Sequence, residues 1–199
     1  LGSGEQALTA VTPGVQIVSL ITATTTLSTS DTAWYAEIGL PNTQGTALSS
    51  VQNVRAGGPA VIVTLTNSNA TAAILSSDEP AATGQAVTKP IQPGIYYTQA
   101  IAAGSTYGLT FDPLAAGSTT VTITSSVATT MTTAGVRTVT VTSPGMSVSA
   151  TDTVGAGLQS SNSASLGGSQ DGGVTVTITS SDPTRVLVSP DAATAGTAS

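Results

Sequence analysis

Along Val174-Thr175-Val176-Thr177-Ile178-Thr179 an apolar side chain alternates with a threonine at every step. That is the pattern of a strand with one face on a core and the other in water. Similar alternation runs over 61–66, 119–124 and 137–142, and turn signals separate the runs, among them Pro13-Gly14, Pro41-Asn42, Gly57-Gly58-Pro59, Pro93-Gly94, Asp112-Pro113 and Pro144-Gly145. Short strands punctuated this often predict antiparallel sheets packed as a sandwich. Pieces such as Ala100 to Ala103 and Leu114 to Gly117 are too short and too Gly-flanked to nucleate a helix, so the expected class is all-β.

The pattern also repeats. Residues 61–78 align without gaps on residues 174–191, so that strand, Asn/Ser/Asp turn, second strand and following turn recur in the same order. Upstream of each copy, Pro13-Gly14-Val15-Gln16-Ile17 matches Pro144-Gly145-Met146-Ser147-Val148. The interval from Pro-Gly to the alternating strand is longer in the first copy, which places an insertion within Asp31 to Val54. Three segments are expected: an extension over 1–10, a first domain over 11–143 and a second over 144–199. The first ends on two closing strands, 119–124 and 137–142; the second has no equivalent of them. Its missing strands come either from chain beyond Ser199 or from a neighbouring subunit. In the second case the donor is the segment before the first Pro-Gly, formed by Gln6, Ala7, Leu8, Thr9, Ala10 and Val11.

Residues 174–190, with their Ser-Ser-Asp-Pro turn, and residues 112–124, Asp-Pro-Leu-Ala-Ala-Gly-Ser-Thr-Thr-Val-Thr-Ile-Thr, resemble the bacterial immunoglobulin-like (Big-type) repeats that occur in tandem in large secreted and cell-surface proteins. The resemblance implies tandem immunoglobulin-like β-sandwiches, the second one incomplete, used as spacer, stalk, adhesin or filament modules. It implies no catalytic residues.

Composition agrees with a non-enzymatic role. The chain has no cysteine and no histidine, which removes Ser-His-Asp and Cys-His nucleophile pairs, zinc sites with nitrogen or sulfur ligands, and disulfides. Catalysis would have to rest on ten carboxylates, Lys89 and the hydroxyls. Those hydroxyls are abundant, with 37 Thr and 25 Ser among 199 residues, while charged residues make up 7%. Thr in place of Lys and Glu as the solvent-facing polarity points to a secreted bacterial surface protein. A net charge of -6, with four cationic side chains, leaves no basic patch for nucleic acid. No apolar run approaches the roughly 20 residues that span a bilayer, so membrane insertion is not expected.

Each candidate for specific chemistry has a plainer reading beside it. No stretch has the dense Asp spacing of a calcium loop, and Asp182-Pro183 and Asp112-Pro113 read as turn residues capping their own backbone. No cofactor is expected; a calcium ion stiffening the junction between copies would sit near Asp152. Asp78-Glu79 read as a solvated turn before Pro80, and Lys89 as a loop residue before Pro90. Alternation over 33–40 puts Trp34, Ala36, Ile38 and Leu40 on a core face and Tyr35 and Glu37 on the other. Tyr96, Tyr97 and Tyr107 are the candidate contacts for a glycan or a partner, since adjacent Tyr96 and Tyr97 on a strand cannot both point inward. Asn69-Ala70-Thr71 has the form of a glycosylation sequon, but its repeat counterpart Asp182-Pro183-Thr184 shows a position chosen for turn geometry.

The expected function is therefore structural or adhesive, with further copies of the same repeat as partners, in the same chain or head to tail between subunits, and with a glycan or cell-surface ligand as a further candidate. The alternative is a carbohydrate-binding or accessory module of a secreted hydrolase, which would display Tyr96, Tyr97 or Tyr107 as a coplanar exposed platform.

Overall fold

The computed structural model describes residues 9–101, 106–150, 153–168 and 173–199, and every regular element among them is a strand. The chain divides between Ser143 and Pro144 into two compact units.

In the first unit, one sheet centres on β1 (Gly14–Val18) and β3 (Tyr35–Pro41), paired antiparallel with Val15 opposite Ile38. β4 (Leu48–Val51) extends it on the β3 side, and β11 (Thr129–Thr130) runs parallel to β1 on the other. A five-stranded sheet has the order β2 (Ala23–Thr25), β12 (Val136–Thr142), β10 (Gly117–Ser125), β5 (Val61–Asn67) and β8 (Ala86–Ile91). A third sheet places β6 (Ala73–Asp78) between β7 (Ala81–Gly84) and β9 (Leu109–Pro113).

The period-two runs at 61–66, 119–124 and 137–142 fall within β5, β10 and β12, and alternation decides which side chains are covered. Val63 and Leu65 of β5, Val121 and Ile123 of β10, and Val139 and Val141 of β12 are buried, while the threonines between them face outward. These residues share one apolar cluster with Val15 and Ile17 of β1, Leu75 of β6 and Leu109 and Phe111 of β9, so strands of all three sheets contribute to a single core. A fully buried side chain of this size stabilises the fold by about 1.5–3 kcal/mol. Trp34, Ala36 and Ile38 are buried in that cluster as their register requires, and Leu40 is half-buried.

Among its described residues the second unit contains one hairpin, β13 (Met146–Ser149) with β14 (Ser163–Leu166), and an isolated bridge between Val188 and Thr197. The strand expected over 174–179 is not formed. Val174, Val176 and Ile178 are 39%, 39% and 41% exposed, and no described residue of this unit is buried. Alternation specifies a strand only where a neighbouring strand takes its hydrogen bonds and a core takes its apolar face, and the described residues here supply neither.

β13 pairs antiparallel with β14 as β1 does with β3; β13 follows Pro144-Gly145, and β1 begins at the glycine of Pro13-Gly14. Of the interval Asp31 to Val54, β3 thus has a counterpart among the described residues, and the β4 segment has none.

Candidate functional site

On β3 the side chains of Tyr35 and Glu37 project from the face opposite Trp34, Ala36 and Ile38. The segment 96–98 lies along the same strand: Ile38 N donates to Tyr96 O at 2.8 Å, Thr98 N donates to Ala36 O at 2.9 Å, and Glu37 bridges Tyr97. Thr98, itself buried, accepts a second bond from Ala36 N on its hydroxyl, which fixes the register. Two tyrosines are thereby set beside Tyr35, and Tyr107, just before β9, completes the group.

The ring centroids lie 4.5 Å apart for Tyr35 and Tyr107, 5.0 Å for Tyr96 and Tyr97, 5.9 Å for Tyr35 and Tyr97, and 6.0 Å for Tyr97 and Tyr107. Interplanar angles run from 39° to 77°, with Tyr97 meeting Tyr35 and Tyr107 edge to face and the other two pairs tilted, so the rings form no flat surface. Each such pair contributes about 0.5–1.5 kcal/mol beyond its burial. All four rings are half-buried, which corrects the expectation that one of Tyr96 and Tyr97 stands clear: the pair lies in an irregular segment rather than a strand, and both rings turn to the same cluster.

Glu37 gives the cluster its electrostatics. Gln16 Nε2 donates to Glu37 Oε1 at 2.6 Å, while Gln16 Oε1 accepts from Leu48 N at 2.8 Å, so one side chain links β1, β3 and β4. Burial holds the Glu37 carboxyl above the usual range, opposed by the Gln16 bond. The Tyr35 hydroxyl is also pushed up, first by burial and then by the Glu37 charge and the neighbouring tyrosines. The arrangement offers phenol hydroxyls and ring edges to a ligand or a packing partner. Tyr35 was legible as outward-facing, but only the pairing of 96–98 with β3 shows that it joins the other three.

A second polar group lies inside the fold. Lys89 belongs to β8 rather than to a loop, is wholly buried, and ion-pairs with Asp78 at the end of β6. Asp78 is likewise no solvated turn residue, since it closes a strand and meets a buried amine. Asp112 also differs from expectation: it sits within β9, opposite Ile74, and accepts from Ser30 Oγ at 2.8 Å. The signal for Lys89 was its place between Val87 and Ile91 in an apolar register.

The expected turn forms in both copies. Asn69 Oδ1 accepts from Thr71 N and Asp182 Oδ1 from Thr184 N, both at 3.1 Å. The carbonyls match too, Asn69 O accepting from the amides of Ala72 and Ala73, and Asp182 O from those of Arg185 and Val186.

Asp152 lies outside the described residues, as do Gln6, Ala7 and Leu8; Thr9, Ala10 and Val11 are exposed and belong to no strand. Among the described residues no three acidic side chains gather as a metal site. Comparison of the chain with protein-family models, with curated proteins and with solved structures found no match.

Proposed function

We propose that the chain carries two tandem immunoglobulin-like β-sandwich modules of a secreted or cell-surface bacterial protein, with a structural or adhesive role and no enzymatic activity. The observation that carries this reading is the turn built twice. Residues 69–73 and 182–186 share one side-chain and two backbone hydrogen bonds at equivalent positions of the repeat. In the first unit the flanking segments are β5 and β6, with their apolar faces in a core. In the second, the equivalent positions Val174, Val176, Ile178 and Val186 are exposed. In this reading strands from a further copy of the repeat, in the same chain or from a neighbouring subunit, pair with 174–179 and cover these side chains. The inclined rings of the tyrosine cluster favour a packing role over the flat platform of a carbohydrate-binding module.

Sedimentation and negative-stain electron microscopy over a range of concentrations, with amide exchange read at 174–179, test the reading. Multimers or filaments in which these amides become protected are expected. A monomer at every concentration that gives a glycan-array signal abolished by Tyr97→Ala would replace it with the carbohydrate-binding alternative.

A further inference from the structure

We propose that Lys89 and Asp78 are joined by an intramolecular amide bond, so that β8 of the five-stranded sheet and β6 of the three-stranded sheet are covalently linked. The inference is independent of the repeat reading and rests on how the two groups are housed. β8 sends Val87, Lys89 and Ile91 to the core, and they are 2%, 0% and 0% exposed. A lysine is almost never covered to this extent, because removing its charge from water costs several kcal/mol unless a partner compensates. The partner is Asp78, whose Oδ1 is in direct contact with Lys89 Nζ.

The backbone is shaped around this contact. Gly108 has a φ of 73°, and a Cβ placed there would lie 2.6 Å from Lys89 Nζ and 2.7 Å from Lys89 Cε. Only glycine leaves room for the two groups to meet. The second carboxyl oxygen, Asp78 Oδ2, accepts from Ile101 N at 2.7 Å, which fixes the carboxyl orientation and polarises it.

Within the pair, transfer of one proton from Nζ to Oδ1 yields a neutral amine facing a neutral acid. The Nζ lone pair attacks Asp78 Cγ, and charge gathering on Oδ2 is met by the Ile101 N–H. As the Nζ–Cγ bond forms and the Cγ–Oδ1 bond breaks, Oδ1 leaves as water, taking its own proton and one from Nζ. No oxidant or reductant takes part. Holding both groups in place replaces an encounter in solution, an advantage of about 10⁵–10⁸ M in effective concentration. The product is neutral, so it removes two charges from a site where charge is costly.

The intact mass of the purified full-length chain is the test. A measurable fraction lighter than the sequence by one water is expected. Fragmentation of the stretch between Arg55 and Arg137 should then give no backbone fragments between 78 and 89, as a closed loop requires. Lys89→Arg and Asp78→Ala should each return the mass of the open chain. A wild-type mass equal to that of the sequence overturns the proposal, as does a water loss that maps elsewhere, for example to Asp171-Gly172, or that persists in Lys89→Arg.

Discussion

Gln16 and Glu37 face each other across β1 and β3, and the 2.6 Å bond between them leaves a carboxylate in a covered position beside the ring of Tyr35. Because burial holds the Glu37 carboxyl above its ordinary value, the folded state binds its proton more tightly than the unfolded state does. Stability from this group is complete below the ordinary carboxyl range and is lost as pH rises through the raised value. Glu37→Gln should therefore weaken the decline in stability between acid and neutral pH, and urea titrations at both ends of that range measure it. The same substitution should bring the Tyr35 hydroxyl part of the way back to its ordinary value, leaving the larger effect of burial. An ultraviolet titration indistinguishable from wild type would refute the coupling.

Phe111 is wholly buried in β9 and lies in the core shared by the three sheets of the first unit. Phe111→Ala should cost about 3–5 kcal/mol, because the surrounding strands close only part of the cavity. Chemical unfolding followed by tryptophan fluorescence of Trp34 reads the loss. A cost below about 1 kcal/mol would show that the sheets do not share this core.

Gly39 of β3 has no room for a side chain. A Cβ there would lie 2.7 Å from Val51 Cα and closer still to the Ser50 carbonyl, both backbone groups that cannot turn aside. Gly39→Ala should destabilise by about 1–3 kcal/mol. It should act first on β4, so the Gln52 amide, which donates to Ile38 O at 3.1 Å, is expected to exchange faster than the amides of β10.

Val176 is exposed in a run with no strand partner. Val176→Lys should leave the unfolding midpoint of the first unit unchanged, within about 0.5 kcal/mol. It should abolish concentration-dependent association, because a charge is placed on the row a second copy would cover. Sedimentation of wild type and variant side by side gives the answer, and equal association of both would sink the edge-addition model.

Period-two alternation located β5, β10 and β12, because threonine alternating with Val, Leu or Ile over 63–66, 120–124 and 138–142 leaves little choice about which face is wet. The same alternation at 174–179 forms no strand, which separates two things the pattern conflates: a preference for extended backbone, carried locally, and a ladder, which requires a neighbour. The Asn69 and Asp182 turns were legible in both copies because an Asx turn is closed by residues two positions apart. β2, β7 and β11 have two to four residues each and take their geometry from the strands they border, so their own sequences carry little signal. Lys89 was misplaced because a lysine beside a proline reads as loop, although its register with Val87 and Ile91 pointed inward. The tyrosine cluster was half legible: three of its rings stood out as candidates, and the fourth needed a tertiary pairing.

Among the described residues of the first unit two pairings are parallel: β1 with β11, and β2 with β12, where Ala23, Thr24 and Thr25 stand opposite Thr140, Val141 and Thr142. The hydrogen bonds of parallel strands are evenly spaced along their length. Tension drawn between the entry of β2 and the exit of β12 would slide one strand along the other, loading those bonds together in shear instead of peeling them apart singly. A load applied at those two points would thus be shared by the three registered pairs at once, although β2 has three residues.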